Sequence, residues 1–212
     1  MAPPAACLAT RSRIGRAASA LAWLLAGLIA LSIAGCDRGK PSFRNTDVTG
    51  AEFGRAFALT DHAGKPRTLE DFRGKLVVMF FGYTQCPDVC PTTLTEMAAA
   101  MQLLGAKADD VQVLFVTLDP ERDTAELLSA YVPAFDRRFL GLYGDAAATE
   151  KVAKEFKVFY QKVPGSAPGV YTMDHTAGSY VFDRQGRLRL FVKHGQAAEP
   201  LAQDIRVLLD QR

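Results

Sequence analysis

The chain has 212 residues, 49% of them apolar and 23% charged, with a formal net charge of +2, which suits one globular domain plus an appendage. Residues 1–35 hold three arginines and no acids, so the remainder carries 22 basic and 23 acidic side chains, a balance of −1. That balance leaves no basic field for nucleic acid, and four cysteines in this arrangement do not make a disulfide framework.

The appendage comes first. Arg11, Arg13 and Arg16 form a basic start, and residues 17–33 carry no charge. The segment ends Leu31-Ser32-Ile33-Ala34-Gly35-Cys36, small residues leading to a cysteine, and Asp37 follows at once. This anatomy resembles a bacterial lipoprotein signal in which residues 1–35 are removed and Cys36 is lipidated. Ile33 stands where such signals usually carry leucine. The competing reading is an uncleaved anchor, since the apolar run approaches the roughly 20 residues that span a bilayer. Either way the domain is expected on the periplasmic face of the inner membrane, by the positive-inside rule. Asp37 resembles the signal that retains lipoproteins there. Residues 36–52 are polar and weakly periodic, and read as a linker.

The domain is expected over residues 53–212. Phe53 to Leu59, the turn Asp61-His62-Ala63-Gly64-Lys65 and Arg67 to Leu69 suggest an N-terminal hairpin. Leu76 to Phe81 is apolar throughout, as a strand buried on both faces would be. Pro91 to Leu104 places Leu94, Met97, Ala98, Met101 and Leu104 on one side of a helix. Val111 to Leu118 reads as a second buried strand, Thr124 to Phe135 as a helix, Phe139 to Tyr143 as a short strand and Ala146 to Phe156 as a third helix. Tyr160 to Asp174 is rich in Pro and Gly and reads as a long irregular loop, a kind that is often functional. Gly178 to Phe182, the turn Asp183-Arg184-Gln185-Gly186 and Leu188 to Lys193 form a hairpin, and Leu201 to Leu209 a closing helix. The order is that of an α/β domain with a thioredoxin-like fold and an N-terminal β-hairpin extension. In open α/β sheets, sites gather beyond the carboxyl ends of the strands. Cys86, Cys90 and Asp119 all fall there.

Cys7 lies in the signal and Cys36 at the anchor, so the domain keeps only Cys86 and Cys90, in Cys86-Pro87-Asp88-Val89-Cys90-Pro91. Proline is tolerated in a first helical turn, so Pro91 marks a helix start with Cys90 near its cap. A helix N-terminus favours thiolate, the form needed for disulfide exchange and for metal binding alike. Spacing permits both chemistries and decides neither; two inert buried cysteines are the bland alternative.

A soft metal would need a third ligand. His62 sits in a hairpin turn and reads as solvated surface. His194 follows a strand and reads as a surface or core residue rather than a ligand. His175 ends the long loop, which in a thioredoxin-like fold lies across from the cysteine loop; it is a ligand candidate or a hydrogen-bonded structural residue. Two thiolates and an imidazole suit copper in either oxidation state, whereas structural zinc wants four ligands. Met173 is a candidate auxiliary ligand, with core packing the better reading, and the phenylalanines of the first central strand read as core.

Three stretches in order, "FFGYTQCPDVCP" from Phe80, "VTLDPERDT" over 116–124 and "MDHT" over 173–176, resemble the Sco/SenC family of membrane-tethered copper proteins with a thioredoxin fold. The similarity covers nearly all of residues 50–210. It implies that Cys86, Cys90 and His175 are ligands for Cu(I) and Cu(II). It puts Asp119 close behind them, where a helix or turn cap is the alternative role. It further implies a copper chaperone that assists the dinuclear copper A centre of cytochrome c oxidase subunit II, or serves another periplasmic copper protein. The alternative within the family is a thiol–disulfide oxidoreductase that keeps subunit II cysteines reduced. A peroxidase-like role lacks an activating arginine fixed by motif.

Overall fold

A computed structural model describes residues 41–167 and 169–211. The expected signal and its Cys36 lie outside the described residues. Among the described residues, no helix is long and apolar enough to cross a membrane.

Two parallel strands form the centre. β4 (Leu76–Gly82) is buried at every position and pairs in parallel with β5 (Val111–Thr117). Side chains alternate across a strand. Accordingly Leu76, Val78 and Phe80 enter one core while Val77, Met79 and Phe81 enter the other. The first core is covered by helices α1 (Val89–Leu104), α2 (Ala125–Tyr131) and α4 (Ala198–Leu209). The second is covered by α3 (Ala146–Glu155) and by Phe57, Leu59, Leu69 and Phe72 from the N-terminal part of the domain.

The other strands extend this pair on both sides. β6 (Leu140–Tyr143) adds in parallel to β5, and the expected hairpin, β2 (Ala58–Asp61) with β3 (Pro66–Thr68), joins that edge through β2. β9 (Gly178–Phe182) and β10 (Leu188–Lys193) extend the other edge antiparallel. The last strand there is β1 (Thr46–Asp47), and the order is β1-β10-β9-β4-β5-β6-β2-β3. This is the expected α/β, thioredoxin-like arrangement with its hairpin extension.

The two hairpin turns are built alike. Asp61 Oδ1 accepts the amides of Ala63 and Lys65, and Asp183 Oδ1 accepts those of Gln185 and Arg187. Gly64 and Gly186 take the positive φ, 81° and 68°, that each turn requires.

Three expectations are corrected. The domain begins before residue 53: Thr46 and Asp47 pair with Phe191 and Leu190, and buried Asp204 accepts the amides of Arg44 and Asn45 at 2.8 Å each. Residues 160–174 are no irregular loop. They hold β7 (Tyr160–Pro164) and β8 (Tyr171–His175), an antiparallel pair that forms a separate two-stranded sheet. His62 is half-buried, and its Nδ1 accepts the Gly141 amide at 3.0 Å, so it stitches the hairpin to β6 rather than facing solvent.

Candidate metal centre

β4 delivers the chain at the carboxyl end of the sheet, where residues 83–88 turn it into α1. The turn is tied down by Asp123, which is 1% exposed. Its carboxylate accepts the Thr84 amide at 3.0 Å and the Thr84 and Thr117 hydroxyls at 2.5 Å each. Burial raises the pKa of this carboxyl despite the three donors.

α1 begins at Val89, two residues before the expected start, and Pro91 occupies its third position. Its missing N–H costs nothing there, because the first four amides of a helix lack internal partners. One of those free amides, from Cys90, reaches Cys86 Sγ at 3.4 Å. The helix end therefore acts on Cys86, which is half-buried and belongs to the preceding loop. Cys90 itself differs from the expectation. It is 0% exposed, and burial pushes its thiol pKa up, outweighing the bond it accepts from the Tyr83 backbone. Both cysteines are free thiols.

His175 arrives from β8. Tyr171, Met173 and His175 share the inward face of that strand, while Thr172 and Asp174 are exposed. Met173 is 6% exposed within the first core, the packing role expected of it. The His175 ring meets Phe80 and Tyr83 edge-on, at centroid distances of 6.3 and 6.1 Å. Its Nδ1 lies 3.1 Å from the Thr176 carbonyl oxygen, which accepts only if Nδ1 carries the proton. Nε2 then keeps its lone pair, and it faces Cys90 Sγ at 3.8 Å. Burial lowers the His175 pKa, favouring the neutral, ligating form.

The two sulfurs and one imidazole nitrogen all lie within 4.8 Å of one another. Such a set can converge on one ion. Two thiolates with one imidazole match a soft monovalent cation better than a hard one, and the pair of sulfurs can also close as a disulfide after modest movement. Asp119 is not part of this set. It is 1% exposed and accepts the Tyr171 hydroxyl at 2.8 Å and the Arg122 guanidinium. It also receives the Arg122 and Asp123 amides on its carbonyl, which makes it a turn cap as well. His194 is exposed and lies 3.2 Å from the Thr93 hydroxyl, apart from the three ligand atoms.

Gly82 escaped the sequence reading. A Cβ at Gly82 would lie 2.7 Å from Cys90 Sγ and 3.0 Å from a ring carbon of Phe115, so the Cys90 sulfur sits in space that only glycine leaves open. Its place at the end of an apolar strand, four residues before a cysteine, was the available signal.

Comparison with known proteins gives the same assignment from another direction. The SCO1/SenC family model matches residues 45–210. The chain belongs to the SCO1/SenC family. Among solved relatives of this SCO1/SenC protein is ScoI of Bradyrhizobium japonicum with copper bound. It is 42% identical with a TM-score of 0.68, over 74% of this chain and 99% of that one. Apo Sco1 of Thermus thermophilus is 40% identical with a TM-score of 0.71, over 80% and 99% of the two chains. The mitochondrial SCO2 homolog of Bos taurus is 34% identical over 80% of this chain. The match spans 65% of that protein, and 60% and 57% of the mouse and human ones.

Proposed function

We propose that the protein binds copper through Cys86, Cys90 and His175 and passes it on as cargo during cytochrome c oxidase assembly, to the dinuclear copper A centre of subunit II or to another periplasmic copper protein. The observation that carries this reading is the convergence of the three ligand atoms within 4.8 Å. Copper bound in the Bradyrhizobium relative supports it. The cation would supply Lewis acidity, soft as Cu(I), which thiolates select, and borderline as Cu(II), which the imidazole also suits. The chain's own residues do the rest. The Cys90 amide holds Cys86 Sγ in place, the Thr176 carbonyl fixes the His175 tautomer, and Phe80 with Tyr83 keeps water from the inner side of the ring. The half-buried Cys86 leaves an outward route by which a recipient's ligands can take the cargo. Membrane attachment through the N-terminal segment, with Cys36 as lipidation site, completes the proposal and puts the domain on the periplasmic face.

Thiol–disulfide exchange with an oxidase subunit is the second reading. It is favoured by one contrast, a half-buried Cys86 that accepts a helix amide beside a fully buried Cys90, which suits an attacking and a resolving thiol. The two readings separate at His175. We expect the full chain to bind Cu(I) one to one, His175→Ala to weaken that binding sharply, and a strain carrying His175→Ala to fail in oxidase assembly. Normal assembly with a copper-deficient His175→Ala protein would select the thiol role.

A further inference from the structure

The turn between β5 and α2 carries an arginine that the three-ligand set does not include. The Arg122 side chain is 18% exposed and donates from Nε to the Asp119 carboxylate. Its Nη1 donates to the Tyr171 carbonyl at 2.9 Å and to Gln85 Oε1 at 3.1 Å. The guanidinium also lies 3.6 Å from the centroid of the Tyr171 ring and 5.7 Å from that of Tyr83. One side chain thus holds the loop at the residue before Cys86 and the strand at the residue four before His175. The two ligand-bearing segments belong to different sheets, and the nearest ladder joining them pairs β4 with β9, which begins three residues past His175, well away from the Tyr171 end of β8. The planar fork can set their spacing, with Nε on the Asp119 carboxylate while Nη1 reaches both segments, a spread of donors that the single nitrogen of a lysine does not reproduce.

We propose that Arg122 is a positioning residue that holds the His175 strand against the Cys86 loop and thereby sets the affinity of the site for a soft cation. The proposal rests on the three-ligand reading above. Asp119 acts with it: by accepting both the guanidinium and the Tyr171 phenol, it aims the fork at β8.

The test is a double-mutant cycle on the full chain, with Cu(I) as the probe and a competing chelator as the reference. Arg122→Lys is expected to weaken Cu(I) binding by about 10- to 100-fold, the size typical of losing a group that orients a ligand. In a His175→Ala background the same change should cost less than about threefold, because nothing remains to be positioned. The Cu(II) charge-transfer spectrum of Arg122→Lys should move towards that of His175→Ala. Tyr171→Phe keeps the ring stack and removes only the phenol bond to Asp119. It should weaken binding in the same direction by a smaller factor, and serves if Arg122→Lys does not fold. Equal losses in both backgrounds, or no loss in the parent, would overturn the positioning role. If His175→Ala alone costs no affinity, the three-ligand reading itself fails, whatever the arginine variants do.

Discussion

The site has two limbs, and they are held in different ways. The cysteine limb grows from β4, a strand buried along its whole length and laddered on both sides. The histidine limb is a two-stranded ladder of its own, docked by ring contacts and by the Arg122 fork. One limb is a central strand of the core, while the other reaches that core through Met173 and is otherwise held by local contacts. The proposed transfer role would be well served by this inequality, because one ligand could yield without disturbing the other two.

The largest effect should come from the residue that both limbs share. Phe80 is 0% exposed and packs on Phe115 and on the His175 ring. Phe80→Ala should lower unfolding stability by about 3–5 kcal/mol, read by chemical denaturation, and should weaken Cu(I) binding as well. Stability loss with intact affinity would break the claim that the core strand supports the imidazole. Gly82→Ala comes next. Its methyl would press on Cys90 Sγ and Phe115, an overpacking worth about 1–3 kcal/mol. We expect a lowered melting temperature and weaker copper binding, with the histidine limb unchanged in hydrogen exchange.

Hydrogen exchange also compares the limbs directly. Amides of β7 and β8 should exchange well before those of β4 and β5 in the copper-free protein, and slow on adding Cu(I). Equal protection of both limbs would remove the distinction.

The smallest effect lies far from the site. At Asp61 and Asp183 burial alone would raise the carboxyl pKa, but the backbone amides and arginine side chains around each outweigh it and hold it below 3.8. A depressed carboxyl contributes stability above its unfolded pKa and loses it as pH falls through the folded one. Asp183→Asn should therefore flatten the loss of stability below about pH 4, where an unfolded Asp is roughly half protonated, and leave copper affinity at neutral pH unchanged.

The same two limbs differ in how much of them the sequence disclosed. β4 and β5 were legible as unbroken apolar runs, and the cysteines as a pair at their carboxyl end. The helix start was misplaced by two residues, because a proline at the third helical position looks, in sequence, like one at the first. On the histidine limb, Pro164, Gly165, Pro168 and Gly169 made residues 160–174 read as irregular. They are confined to positions 164–169, and the flanking alternation of Tyr171, Met173 and His175 was the strand signal that their density obscured. His175 was placed as a ligand by its resemblance motif rather than by spacing, since 85 positions separate it from Cys90. Arg122 and His62 were invisible for the same reason. Their partners, Tyr171 and Gly141, are 49 and 79 residues away, and no local pattern encodes such a contact. The strand at Thr46–Asp47 is too short to carry a period.

The central claim is that both limbs bind one ion. X-ray absorption at the copper edge of the full chain loaded with one equivalent of Cu(I) tests it most directly. The account predicts a first shell of two sulfurs and one nitrogen, the nitrogen lost in His175→Ala. A shell of sulfur alone in the parent protein, unchanged by His175→Ala, would contradict it.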